Sequence, residues 1–178
     1  MKISLRTALI LAILAIVLVG VVLAGTFMTR TLRAYINERA ELELGAHSRA
    51  ASLYVEQSLH SLEYRDADRI ADRLGRVQEL RVTILSKDGR VVGDSDVPTD
   101  KLAHLPDHEN RPEFIAADRT GKGLAHRYST TVERSMVYAA ARFANDQVAG
   151  VVRVSRPVQE IEHALAILFA SFLSGAVI

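Results

Sequence analysis

The chain is 178 residues long, with 22 basic and 21 acidic residues, a formal net charge of +1, and no cysteine. That length holds one domain of ordinary size plus a few appended elements. The charge balance gives no single-sign field, so no DNA or RNA partner is expected; the lack of cysteine excludes disulfides, thiolate metal sites and a cysteine nucleophile.

No residue from Ala8 to Met28 is charged, and the run from Leu9 to Val19 is apolar around its whole circumference. A helix over this stretch is about 31 Å long, matching a bilayer core of about 30 Å. It reads as a membrane span. Lys2 and Arg6 ahead of it favour a cytoplasmic N-terminus, although Arg30 and Arg33 follow it. A secretory signal peptide competes, with Val22-Leu23-Ala24 before Gly25 as its cleavage site. The apolar run is longer than the roughly 7–15 residues such a segment uses.

Thr29 to Leu62 lacks proline and is rich in Leu, Ala, Arg and Glu, which continues the helix. Leu32, Tyr35, Leu42, Ala46, Ala50, Leu53 and Leu62 recur at helical spacing and are expected to form its apolar stripe, packing on the domain or on a second copy. Asp66 to Leu80 is a second helix, with Ile70, Leu74, Val77 and Leu80 on one side.

The period then changes. Arg81-Val82-Thr83-Ile84-Leu85-Ser86 is strand-like, Asp88-Gly89 makes a hairpin turn, and Val91-Val92-Gly93-Asp94 returns. Ser95 to Arg111, with Pro98 and Pro106, is a loop, and a short helix follows from Pro112 through Ala117. Three further strands are expected over Leu124–Val132, Ser135–Phe143 and Gln147–Ser155. In the last, Val148, Val152 and Val154 share one face while Val151, Arg153 and Ser155 share the other, as in a half-buried strand. The order gives an α+β layer: an antiparallel sheet of about five strands with one face covered by the long helices. Ala164 to Ile178 is again charge-free, and its length makes only about 22 Å of helix. It reads as the start of a truncated second span, which makes the sequence a fragment.

Asp107-His108-Glu109-Asn110-Arg111-Pro112-Glu113, Arg127-Tyr128-Ser129-Thr130-Thr131, Met136-Val137-Tyr138-Ala139-Ala140 and Gly150-Val151-Val152-Arg153-Val154-Ser155-Arg156-Pro157 stand in a telling order and spacing. Together they resemble the extracytoplasmic sensor region of phosphate-regulon-type (PhoR-like) membrane sensor histidine kinases, over the whole stretch between the two apolar ends. The resemblance implies a PAS-like, Cache-type sensor domain flanked by transmembrane helices, a homodimer, and a cytoplasmic kinase core that uses ATP and magnesium and serves a cognate response regulator. The organisation is then residues 1–30 as cytoplasmic N-terminus and first span, 31–157 as the extracytoplasmic domain in the bacterial inner membrane's outer compartment, and 158–178 as the start of the second span. The fragment itself holds no kinase core, and His163 is an interfacial polar residue rather than a phospho-acceptor.

Such a sensor binds its signal, a small molecule or a membrane partner protein, between the sheet and the covering loop and helix. His108, Arg111, Glu113, Arg127, Tyr128 and Tyr138 are the candidates. Arg111 and Glu113 are more simply read as pinning the loop, by pairing with backbone or with each other. His104, Asp107 and His108 are metal-ligand types without a complete set, so no metal is expected. His126 reads as isolated, and nothing supports a hydrolase. The competing functions are the sensor module of a chemoreceptor or cyclase, and an anchored envelope protein acting by contact alone.

Overall fold

A computed structural model describes residues 4–129 and 133–158 of the chain. The expected second span, His163 within it, Thr130 and Thr131 lie outside the described residues. The chain divides into two units, Met1–Glu38 and Arg39–Ile178. Helix α1 (Leu5–Ser58) runs through the boundary.

In the first unit the apolar side chains of α1 are exposed all round, among them Leu9, Ile13, Ile16, Val17 and Leu23. A helix apolar on every side and buried against nothing is suited to hydrocarbon, and by length and composition it can cross a membrane.

In the second unit α1 buries Ala40, Leu44, Ser48, Ala51, Ser52 and Val55, and Leu59 just past its end is buried as well. This is not the stripe expected from the sequence: Leu42 and Leu53 are 69% and 55% exposed. The helix carries two apolar faces, and the one lined with small residues packs on the sheet. Small side chains let the helix backbone approach closely, and the bulkier Leu42 and Leu53 are left outside.

Helix α2 (Tyr64–Gln78) ends where Glu79 takes a left-handed conformation, with φ 53. It buries Ala67, Asp68, Ala71 and Leu74, whereas Val77, expected inside, is 77% exposed. Five strands follow: β1 (Arg81–Ser86), β2 (Val91–Asp94), β3 (Lys122–Ser129), β4 (Arg134–Ala144) and β5 (Ala149–Pro157). The β1–β2 hairpin turns at Gly89, whose φ of +84 suits a residue without a Cβ. The sheet is antiparallel throughout, in the order β2-β1-β5-β4-β3.

One face of the sheet presents Val82, Ile84, Val92, Val137, Ala139, Val152 and Val154 to α1 and α2. The other is covered as well. A 3-10 helix (Thr99–His104) inside the expected loop and helix α3 (Pro112–Thr120) place Leu102, Phe114 and Ala117 over Leu85, Val91, Ala140 and Val151. The half-buried β5 of the sequence reading is therefore buried on both faces, Arg153 and Ser155 included. Its polar residues are enclosed by α3 and the loop, an arrangement that periodicity alone does not reveal.

Candidate functional site

The loop before α3 is held on the hairpin turn by the His108 amide, which donates to the Gly89 carbonyl at 2.8 Å. Glycine is required there for a second reason: a Cβ on Gly89 would lie 2.4 Å from the Glu109 nitrogen. Pro112 opens α3 at a position where its missing N–H has no helical partner to lose. The first turn of α3 then carries Glu113 to the sheet. Gly123 of β3 allows the approach, since a Cβ there would stand 1.9 Å from the Glu113 carbonyl oxygen.

Glu113 is fully buried. Its Oε1 accepts from Arg127 Nη2 at 2.8 Å and lies 3.4 Å from Arg153 Nη1. The two guanidiniums flank one aromatic ring, with Arg127 Cζ 4.0 Å and Arg153 Cζ 5.0 Å from the Tyr138 centroid. Burial by itself would raise the Glu113 carboxyl, but the Arg127 hydrogen bond and the charges of Arg153 and Arg127 hold it below the usual carboxylate range.

The network continues across the sheet. Arg153 Nη2 donates to Thr83 Oγ1 at 3.1 Å, and Thr83 donates to Asp94 Oδ2 at 2.8 Å. Arg81 Nε and Nη2 grip the same carboxylate at 2.9 and 3.1 Å. Asp68 of α2 accepts from the Asp94 amide and from the Thr99 hydroxyl. A line of charged and hydroxyl side chains thus joins all five strands with α2, α3 and the 3-10 helix.

Among the described residues, two buried atoms in this region have no hydrogen-bond partner, Arg153 Nε and His108 Nδ1. Burial, with the positive charges of Arg153, Arg111 and Arg127, drives the His108 imidazole down to about 3, against a partial pull from Glu113. His108 is therefore neutral at ordinary pH, with three arginines and one carboxylate near it. Such a site favours an anion or a hydrogen-bonding neutral group.

Of the six sequence candidates, His108, Arg111, Glu113, Arg127 and Tyr138 come together. Tyr128 does not; it is 58% exposed. Glu113, expected to pair with backbone or with Arg111, pairs instead with the two strand arginines, because α3 directs it onto the sheet. His126 is not isolated either: its Nε2 lies 2.7 Å from Glu41 Oε1. Among the described residues no three His, Cys, Asp or Glu side chains are placed to hold a metal. Arg153, Thr83, Asp94 and Asp68 were absent from the sequence candidates. Arg153 carried a usable signal, since a charge inside Val151-Val152-Arg153-Val154 is costly to bury unless paired.

No family model matches the chain, and no curated protein matches it. Solved structures do. The ligand-binding domain of the Campylobacter jejuni chemoreceptor Tlp3, in complex with 4-methylisoleucine, is similar at a TM-score of 0.56 and 14% identity, covering 75% of this chain and 57% of that one. The sensor domain of the V. cholerae histidine kinase DctB gives 0.50 and 16%, over 85% and 58% of the two chains. The ligand-binding domain of Mlp24 with asparagine gives 0.55 and 10%, over 74% and 56%. The chain therefore spans less than three fifths of the length of these neighbours. The fold is that of a Cache/PAS-like sensor domain: α+β, a long N-terminal helix against a five-stranded antiparallel sheet. Its neighbours are the ligand-binding domains of the chemoreceptor Tlp3 and of Mlp24 and the sensor domain of a histidine kinase.

Proposed function

We propose that this chain is the signal-input module of a bacterial inner-membrane sensor histidine kinase. Its domain is extracytoplasmic, and it passes a cue through paired transmembrane helices to a cytoplasmic core that uses ATP and magnesium and phosphorylates a response regulator. The observation that carries the reading is an all-round apolar helix leading into a Cache/PAS-like domain whose covered sheet face holds a buried cluster with unused polar atoms. The resemblance of the Asp107–Glu113, Arg127–Thr131 and Gly150–Pro157 stretches to PhoR-like kinases favours a kinase output.

In this reading His108, Arg111, Glu113, Arg127 and Tyr138, joined by Arg153, form the signal site. A cue acts there only through its difference in affinity for two packing states of the domain. Glu113 joins α3 to β3 and β5, so a ligand that competes for Arg127 or Arg153 alters how α3 seats on the sheet.

The module works as a homodimer through the uncovered stripe of α1, formed by Leu42, Ala46, Ala50 and Leu53. These residues are exposed and follow one another at steps of about four, the spacing of a helix–helix seam. Membrane insertion sets two copies parallel, which brings the same stripe of each face to face.

A chemoreceptor output is the second reading, favoured by the Tlp3 likeness. Reading the gene past codon 178 and assaying the longer protein in membranes with labelled ATP separates the two. Label on a cytoplasmic histidine supports the kinase. A reading frame that continues into a methyl-accepting or cyclase module overturns it.

A further inference from the structure

The cations of the sheet-face cluster and its anion come from different layers. Arg127 and Arg153 stand on β3 and β5, where the strand register fixes their backbones, whereas Glu113 reaches them from the first turn of α3. Arg127 turns one edge to the carboxylate, with Nη2 2.8 Å from Oε1 and Nε 3.4 Å from Oε2. That two-pronged geometry suits any carboxylate, not only one carried by the chain. Tyr138 of β4 supports both guanidiniums at 4.0 and 5.0 Å, so the cationic platform is built by the sheet without help from α3.

What α3 adds is a single negative group. One carboxylate serves two guanidiniums, and Arg153, 4% exposed, keeps its Nε–H without an acceptor among the described residues. A buried charged donor left over beside a shared anion marks a place short of acceptors. Arg127 is 18% exposed, which gives the gripping edge a way to solvent when the Glu113 carboxylate is withdrawn.

Resting on the proposal that this cluster is the signal site, we infer that Glu113 is a tethered occupant of a carboxylate-binding site, and that a small free carboxylate acts by taking its place. The tether gives the Glu113 carboxylate a high effective concentration, so a free carboxylate binds only the fraction of molecules in which α3 has lifted its own away. With the ligand in place, Glu113 has lost its partners and the first turn of α3 is unseated; with Glu113 in place, it is seated. Ligand affinity and the position of α3 are two sides of one equilibrium.

The test is amide NMR of the full chain in detergent micelles, titrated with acetate against chloride at equal ionic strength. Glu113→Ala deletes a methylene and a carboxylate, which acetate replaces. This variant is expected to show saturable shifts at Ala125, Arg127 and Arg153, with an affinity for acetate about tenfold or more above that of the unsubstituted chain. In the unsubstituted chain the α3 amides Phe114–Ala117 should shift in step with Arg127. Acetamide, neutral and of the same shape, should do neither. Adding Arg127→Gln to Glu113→Ala should weaken acetate binding about tenfold, from the loss of a two-pronged charged contact. If Glu113→Ala is unfolded in chloride, recovery of its dispersed amide spectrum by acetate and not by acetamide gives the same readout. Equal affinity with and without Glu113, effects reproduced by acetamide, α3 amides that stay fixed while Arg127 shifts, or no acetate effect in either measurement would each overturn the inference. The labelled-ATP assay is independent of these results: a chain that refuses acetate yet belongs to an active kinase remains an input module and loses only this ligand class.

Discussion

Glu113 Oε1 and Arg127 Nη2 meet at 2.8 Å although one residue begins α3 and the other lies within β3. With Arg153 on the far side, the pair fixes the covering helix to the sheet, and its carboxylate is fully enclosed. Removing it leaves two guanidiniums without their counter-ion. Glu113→Ala is therefore expected to cost about 3–5 kcal/mol of stability. Glu113→Gln should cost less, because it retains the shape and one acceptor. Urea unfolding of the chain in detergent micelles measures both, and a loss below about 1 kcal/mol for Glu113→Ala would contradict the role given to the pair.

Acid should weaken the domain in two separate windows. His108 is held neutral in the folded chain down to about 3, while its unfolded value is 6.5. Between those values the unfolded state takes a proton that the folded state refuses, so stability falls as pH drops from about 6.5. Glu113 has a lowered folded value, so its contribution is complete above the unfolded 4.5 and is lost only as pH falls below that. At about pH 5 the His108 effect stands alone. The prediction is that His108→Gln flattens the decline in unfolding midpoint between about pH 7 and 5 while leaving the steeper loss at lower pH. A variant with an unchanged slope would remove His108 from this account.

The homodimer proposal can be tested on an unusually clean background, since the chain has no cysteine. Leu42→Cys and Leu53→Cys, both on the uncovered stripe, are expected to form intermolecular disulfides in membranes under mild oxidation. Ser52→Cys, buried at 5% exposure, serves as the control and should not. Crosslinking of the control alone, or of none of the three, would dismiss the α1 seam.

Asn145 closes α1 from a distance. Its Nδ2 donates to the Glu56 and Leu59 carbonyls at 2.7 and 2.9 Å, and its Oδ1 accepts from the Gln147 and Val148 amides at 3.0 and 2.9 Å. One side chain caps the helix end and shapes the β4–β5 turn together. Asn145→Ala should cost about 2 kcal/mol, more than an ordinary surface change, and should raise amide exchange near residues 56–59 first. Uniform exchange with no local excess would show the cap to be unimportant.

Much of the fold was legible in the chain because it depends on local period and turn chemistry. The β1–β2 hairpin with its Asp88-Gly89 turn appears at the expected residues, and β3 and β4 lie within two or three residues of their expected starts. Helix faces were less legible. Leu42 and Leu53 are as hydrophobic as Leu44, yet they are exposed, as is Tyr35, while Ala40, Leu44, Ala51 and Val55 are buried. An apolar stripe states that a face avoids water but does not state which partner it avoids water against. The site was partly legible for the same reason. His108, Arg111, Glu113 and the two candidates on β3 and β4 that converge with them were identifiable by residue type, and the outward Tyr128 was not separable from the inward Arg127.

By itself the sequence determined the apolar first segment, the order of helices and strands, and the α+β class, because each of these follows from the spacing of apolar residues and from Gly and Pro at the turns. The tertiary structure alone decided that α3 and the loop cover the second sheet face, that Glu113 belongs to Arg127 and Arg153 rather than to Arg111, and that Asp68, Asp94 and Thr83 extend the line. Those partners lie up to 40 residues apart for Glu113 and Arg153 and 70 for Thr83 and Arg153. Their pairing is set by strand order and by the close approach at Gly123, and a buried charge has no energetic home until that packing exists.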